Sequence, residues 1–128
     1  MATIKSFSDL KQSKKLAEIL PLESADMFLA MSGTLPVMSK YIDDGLVTAD
    51  ESAIPCWSLA SLRNLLPPAI KPNKDSCLFL FESHNTFDKS WVYRYYNEDD
   101  TSYLYYKNTN EVDACVAMIE KLNELNLL

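Results

Sequence analysis

Apolar residues recur at helical spacing in three segments of the chain, and the flanking residues mark where the helices stop. Residues 6–20 carry an apolar stripe with lysines on the opposite side, and Pro21 ends the pattern. Residues 57–66 repeat leucine at the same spacing before two prolines. Residues 109–126 show the strongest helical periodicity. The pattern therefore predicts three helices.

Polar residues at the starts of the first and last helices are candidates for their N-caps. Ser6 or Ser8 can accept a hydrogen bond from the first turn of the first helix. Asn108 and Asn110 compete for the start of the last helix, and each is followed three residues later by an acidic residue. The sequence leaves the choice open in both cases.

Strand patterns lie between the helices. Residues 27–31 and 35–41 flank a Ser-Gly-Thr turn, and Pro36 predicts that the second of these strands lies at a sheet edge. Residues 77–82 form a dense apolar run, which we interpret as a buried central strand. Turn and loop chemistry marks the remaining connections, at residues 43–45, 46–55, 70–75, 83–90 and 97–101.

Helices and antiparallel strands in separate blocks are typical of the α+β class. The 128 residues match the length of one domain, and 48% of them are hydrophobic, as expected for a globular protein. We therefore predict a single domain over residues 1–128, in which an antiparallel sheet of three to five strands packs against about three helices.

Charge narrows the classes of partner. The chain has 12 lysines and arginines against 18 acidic residues, a net charge of −6. Binding to a phosphate backbone or an anionic membrane needs a concentrated basic surface, so this balance disfavours both. The acidic residues concentrate in residues 41–64 and 97–128. We interpret them as solvated surface, with an acidic mimic of DNA as the alternative.

The cysteine and histidine content disfavours metal sites and disulfides. Cys56, Cys77 and Cys115 are widely spaced, and His84 is the only histidine, so no zinc-binding spacing exists. We expect the three thiols to be buried in the core. Neither a signal peptide nor a membrane-spanning apolar run is visible. We expect a soluble cytoplasmic protein without a cofactor.

Two features allow an enzymatic alternative. Residues 41–44 read Tyr-Ile-Asp-Asp, which matches the YxDD motif of reverse-transcriptase palms, but the motif is short and the chain is too small for such a palm. His84 is the other, because a histidine titrates near neutral pH and can act as a general base beside a nucleophile and an orienting acid. We interpret the motif as a turn and keep an enzyme or small-ligand binder around His84 as the third alternative.

The most informative feature is an aromatic hairpin made by residues 91–97 and 102–107. If Tyr96 pairs with Tyr103, one face carries Trp91, Tyr93, Tyr95, Leu104 and Tyr106, and the other carries Arg94, Tyr96, Tyr103, Tyr105 and Lys107. A slip of one residue rearranges both sets, so the register stays open. Cross-strand aromatic pairs also stabilise hairpins without any partner.

Three segments resemble one family. They are SKKLAEILPLESADMF at residues 13–28, PCWSLASLRNLLPP at residues 55–68, and the closing helix EVDACVAMIEKLNELNLL. Together they resemble a family of small uncharacterised proteins encoded on prophage-like or other mobile elements of anaerobic gut bacteria. The resemblance implies a compact single domain of bacterial or phage origin and no activity, so no catalytic residue is transferred.

These observations favour a small non-enzymatic accessory protein that binds another protein. Tyrosine and arginine are frequent at interface hot spots, so we expect the aromatic face of the hairpin to be the binding surface. Its predicted binding residues are Arg94, Tyr96, Tyr103 and Tyr105. Homodimerisation through the same face is an alternative explanation of its aromatic character.

Overall fold

A computed structural model describes residues 6–32, 35–40, 54–97 and 102–128 of the chain. The described residues form three α-helices, one short 3₁₀ turn at Leu22–Ser24 and seven strands. In chain order the elements are α1 (Leu10–Ile19), β1 (Met27–Ser32), β2 (Leu35–Lys40), β3 (Ile54–Cys56), α2 (Leu59–Leu65), β4 (Ala69–Asn73), β5 (Ser76–Asn85), β6 (Ser90–Tyr96), β7 (Ser102–Asn108) and α3 (Glu111–Glu124).

The chain divides into two compact units. Residues 6–61 form the N-terminal unit, and residues 62–128 belong to the C-terminal unit. Each unit has a sheet of its own: the first has the strand order β2-β1-β3, and the second has the order β4-β5-β6-β7. All neighbouring strands in both sheets are antiparallel.

In the N-terminal unit, α1 packs against β3. Its N-cap is Asp9, which exchanges hydrogen bonds with Gln12 in a complete capping box. A short bridge between Phe7 and Ser58 joins the segments that precede α1 and follow β3. Trp57 lies next to this bridge and is completely buried. Its backbone N–H donates to the Ser8 hydroxyl and its indole Nε1–H donates to the Ser24 hydroxyl, both within the same unit.

In the C-terminal unit, α3 packs across β6 and β7. Asn110 is its N-cap and accepts a hydrogen bond from the backbone N–H of Asp113, so the second of the two predicted caps is the one used. One face of the sheet contributes buried side chains to this core, and α3 contributes the rest. The fully buried members include Tyr93, Tyr95, Val112, Cys115, Met118, Ile119 and Leu122.

The predicted α+β class is confirmed, and so are the three helices and an antiparallel sheet of up to five strands. The two strands predicted at residues 27–31 and 35–41 pair with each other, in a sheet that is separate from the β4–β7 sheet. The sequence predicts a loop over residues 46–55, but Ile54 and Pro55 pair with β1 together with Cys56 and complete the three-stranded sheet. The position of β2 at an edge, which Pro36 predicted, is confirmed. The boundaries 1–128 for a single domain stay a prediction.

Two local predictions are wrong because tertiary pairing prevailed over local sequence preference. The segment 70–75 was interpreted as a turn, but most of it belongs to β4, and only Lys74 and Asp75 turn. The segment 83–90 was interpreted as a loop, but β5 continues to Asn85 and the turn occupies residues 86–89. A hydrogen bond from the backbone N–H of Asp75 to the side chain of Asn73 holds the first of these turns.

The three thiols do not share one environment. Cys56 and Cys115 are buried as predicted, but Cys77 is exposed. Strand β5 alternates between its two faces, and Leu78 is the residue that enters the core, so Cys77 points the other way. The expectation that all three cysteines are core residues is therefore wrong for Cys77.

We expect a thiol reagent such as DTNB to label one cysteine of the native chain rapidly at mildly alkaline pH, because only an exposed thiol is accessible. Cys77→Ser should abolish the fast phase and leave slow labelling limited by unfolding. Cys56→Ser serves as the matched control and should retain the fast phase. Fast labelling of two thiols in the native chain would contradict the burial of Cys56 and Cys115.

Candidate functional site

The face of the β4–β7 sheet that points away from the buried tyrosines is strongly aromatic. We call it the outer aromatic face and define it by Phe79, Phe81, Arg94, Tyr96, Tyr103 and Tyr105. Arg94 pairs with Phe81 on one neighbouring strand and with Tyr105 on the other. Phe79 pairs with Tyr96 in the next row. Side chains paired in this way lie next to each other on one face, so the surface is continuous across three strands.

The hairpin register decides which tyrosines lie on this face. From Trp91 to Tyr95, the strands pair Tyr95 with Leu104 and Arg94 with Tyr105. This is the register that a pairing of Tyr96 with Tyr103 would continue. A bulge after Tyr95 then pairs Tyr96 with Ser102 instead of Tyr103. The bulge accommodates one extra residue on β7 and leaves Tyr103 exposed.

Arg94 forms the centre of the outer aromatic face. Its guanidinium carbon lies 4.7 Å from the centroid of the Phe81 ring and 4.9 Å from that of Tyr96. The two rings meet edge to face, with centroids 5.8 Å apart. The two distances from the guanidinium carbon to the ring centroids are within the range of cation–π attraction. The rings therefore hold the guanidinium in a fixed position on the sheet.

Much of this surface is open to solvent. Phe79 and Tyr105 are 50% and 52% exposed, and Tyr103 is 48% exposed. Arg94 and Tyr96 are half-buried between their neighbours. Scattered exposed rings are ordinary on a protein surface, whereas a continuous patch of them makes this face the candidate interaction site. The structure thus brings together the four residues predicted from the hairpin.

Phe79 and Phe81 were missed by the sequence analysis, which placed the whole run 77–82 in the core. Leu78 is buried, whereas Phe79 and Phe81 alternate with it onto the outer face. Leucine and phenylalanine alternate in the run Cys-Leu-Phe-Leu-Phe-Glu, and this two-residue period places both phenylalanines on one face of the strand. The density of apolar residues hid this period, because both faces of the strand are apolar.

The turn between β5 and β6 is fixed by side-chain hydrogen bonds. Asn85 accepts from the backbone N–H of Phe87, and Asp88 accepts from both the backbone and the hydroxyl of Ser90. Lys107 lies 3.0 Å from the second oxygen of Asp88. The Ser90 hydroxyl first, and then Lys107, lower the pKa of Asp88 to about 2. The turn holds Phe87 almost fully in solvent, outside the outer aromatic face.

A polar cluster lies at the other side of the sheet, where β6 meets α3. The hydroxyl of the buried Tyr93 donates to Glu111, and Arg63 lies 4.0 Å from the same carboxylate while it also pairs with Glu82. Burial raises the pKa of Tyr93 and raises that of Cys115 to about 12. The Cys115 thiol is therefore protonated at neutral pH and unsuited to act as a nucleophile.

A second buried cluster surrounds Cys56 in the N-terminal unit. The hydroxyls of Ser8 and Ser13 are 2.8 Å apart, and the Cys56 thiol donates to the Ser8 carbonyl at 3.3 Å. The Ser8 hydroxyl also accepts from the backbone N–H of Trp57. Burial raises the pKa of Cys56. These contacts explain why Ser8 is not the cap of α1: its side chain points into the core.

His84 lies on β5 and pairs with Trp91 on the neighbouring strand β6. Its ring stacks on Trp91, with centroids 4.2 Å apart and an angle of 24° between the planes, and it is exposed. Within the described ranges, no group of three or more His, Cys, Asp or Glu side chains is placed to hold a metal ion. The YxDD motif at residues 41–44 and the acidic residues 98–100 lie outside the described residues.

No family model, curated protein or solved structure matches the chain. The resemblance to the mobile-element family therefore stays a prediction. Among the helices that the structure describes, none combines the length and the apolar character needed to cross a bilayer.

Proposed function

We propose that the protein is a non-enzymatic binding module and that its outer aromatic face contacts a protein partner. The observation that carries the proposal is the position of Arg94 between the rings of Phe81 and Tyr96, at the centre of a continuous exposed patch. Aromatic residues and arginine are enriched at interface cores, where binding energy concentrates in a few ordered side chains.

The packing of the patch supports this proposal. Arg94 is held by two rings and by the strand ladder, so little side-chain entropy remains to be lost when a partner binds. The tyrosines at the rim, Tyr103 and Tyr105, present both an apolar ring and a hydroxyl to solvent. Such side chains contact apolar and polar groups of a partner equally well.

The proposal is tested by affinity capture with three forms of the tagged full chain, from a nuclease-treated lysate of cells that naturally express it. The wild type is compared with the double variant Phe79→Thr, Tyr105→Thr, which removes two exposed rings and keeps good strand formers. Phe87→Thr is the matched control, because it removes an exposed ring outside the outer aromatic face.

We expect one stoichiometric partner on the wild type and on the Phe87→Thr bait, with about tenfold less on the double variant, since losing two hot-spot rings costs at least that much affinity. Circular dichroism establishes that the double variant is folded. Equal capture of the partner by all three baits would overturn the proposal. So would a set of captured proteins in which none depends on the outer aromatic face.

A further inference from the structure

We propose that the chain forms a two-fold symmetric dimer in which the outer edge of β7 pairs antiparallel with the same edge of a second copy. The two four-stranded sheets then join into one continuous sheet of eight strands. This inference goes beyond the proposed function and does not depend on it, because pairing along an edge leaves the outer aromatic face of each copy open.

The edge of β7 has hydrogen-bonding capacity left in the described part of the chain. There, β7 has β6 as its one strand neighbour, and no backbone hydrogen bond joins it to another described segment. Every second residue of an edge strand directs its N–H and C=O away from its neighbour, where a further strand can bind them. The opposite edge strand, β4, is less regular, because its register with β5 shifts between Ile70 and Asn73.

The bulge in the hairpin determines how two copies pair. Pairing between β6 and β7 is regular from Leu104 to Asn108 and is interrupted at Tyr103. An interrupted backbone does not continue a regular ladder, so the usable edge is the stretch 104–108. A two-fold axis that pairs this whole stretch with itself passes through its middle residue, Tyr106. With the axis perpendicular to the sheet, the inner faces of both copies lie on the same side, as a continuous core requires.

The side chains that meet in this register are compatible. Tyr106 pairs with the buried Tyr93 on the inner face and is itself half-buried. In the dimer it lies opposite Tyr106 of the second copy, and cross-strand aromatic pairs of this kind stabilise a sheet. On the outer face, Tyr105 lies opposite Lys107 of the second copy, and the symmetry provides this pair twice. The apolar stem of the lysine lies beside the tyrosine ring, while its ammonium group keeps Asp88 of its own chain as its partner.

The charge distribution permits a second copy at this edge. A net charge of −6 opposes self-association when acidic residues lie along the contact. Strand β7 contains no acidic residue, and Lys107 is its only charged one. The register places Lys107 opposite a tyrosine, so no two like charges stand directly opposite each other. In the joined sheet, the outer aromatic faces of the two copies become one surface with two-fold symmetry.

The test combines light scattering with disulfide trapping in the full chain. Cys77→Ser provides the background, because Cys77 is the exposed native thiol. The double variant Tyr105→Cys, Lys107→Cys places two thiols opposite two others, with Cα atoms about 4.5–5.5 Å apart, within disulfide range. Each single variant offers only a diagonal pair, roughly 7–8 Å apart, which is too far for a disulfide. Both positions are exposed, so neither substitution opens the core.

We expect the mass of the wild type to rise from one chain to two as its concentration increases from micromolar towards millimolar. Under mild oxidation, the double variant should form about tenfold more covalent dimer than either single variant, since only directly opposed thiols reach each other. The matched control is Phe79→Cys, Phe81→Cys in the same background. It has the same spacing on the outer aromatic face, but it lies on the interior strand β5 and should form no covalent dimer. Circular dichroism establishes that each variant is folded.

Three results would overturn the inference. The first is the mass of a single chain at every concentration. The second is equal trapping of the single and double variants, which would show a different register. The third is trapping of the β5 control as efficient as that of the β7 double variant, which would place the contact on the outer aromatic face instead of the edge. The capture experiment with the ring variants tests the proposed function separately.

Discussion

Replacing Trp57 with alanine is expected to remove about 3–5 kcal/mol of unfolding free energy, as large-to-small substitutions of buried aromatic residues do. Trp57 is completely buried, so truncation of its side chain leaves a cavity in the packed interior. Its indole Nε1–H donates to the Ser24 hydroxyl at 2.9 Å. Ser24 also donates to the carbonyl of Pro21, so it keeps a partner in the variant, and the cavity dominates the cost.

The size of this effect decides whether the unit stays folded. Small domains are stable by only about 5–15 kcal/mol in total. Urea denaturation followed by circular dichroism gives the difference between the wild type and Trp57→Ala. Leu22→Ala is the matched control in the same unit, because Leu22 is 55% exposed, and its midpoint should move little. A loss below about 1 kcal/mol for Trp57→Ala would contradict the packing described here.

The second large effect is expected from Tyr93→Phe, which removes one hydroxyl from the polar cluster beside α3. That hydroxyl donates to Glu111, whose side chain is only 11% exposed. A hydrogen bond to a charged group contributes about 1.5–3 kcal/mol, and its loss leaves a buried carboxylate with less compensation. Arg63 stays 4.0 Å from that carboxylate and limits the damage.

Tyr95→Phe is the matched comparison for this prediction. Tyr95 is equally buried on the same strand, but its hydroxyl donates to the neutral carbonyl of Pro67 at 2.7 Å. A neutral hydrogen bond contributes about 0.5–1.5 kcal/mol, so Tyr95→Phe should destabilise less than Tyr93→Phe. Urea midpoints at an unchanged m-value measure both. If the order of the two effects were reversed, the Tyr93–Glu111 pair would not stabilise the fold as described.

Some of the fold could be predicted because it depends on local pattern. The helix α3 has a long apolar stripe and a good cap, and both lie within one segment of the chain. The start of α1 could not be predicted in the same way. Ser8 is as good a cap as Asp9 by local chemistry, but its hydroxyl is used by Trp57, 49 positions away along the chain. Such a contact is invisible in a local window of sequence.

The candidate site was also only partly predictable from local sequence. The alternation of the aromatic hairpin predicted the four residues Arg94, Tyr96, Tyr103 and Tyr105, because alternate positions of a strand share a face. The bulge that changes the pairing after Tyr95 carries no glycine or proline, so the sequence did not signal it. The contribution of β5 was also missed, since its outer positions are as apolar as its inner ones.

The prolines of the outer strands have a consequence for the behaviour of the protein in concentrated solution. The two sheets have four edge strands among the described residues: β2, β3, β4 and β7. The first three each contain a proline, at positions 36, 55 and 72. Proline has no N–H to donate, so these borders are poor templates for the addition of a strand from another molecule. Among the described edge strands, β7 is the one that contains no proline. Amyloid-like growth of a partly unfolded chain should therefore begin at β7, where an added proline would slow it.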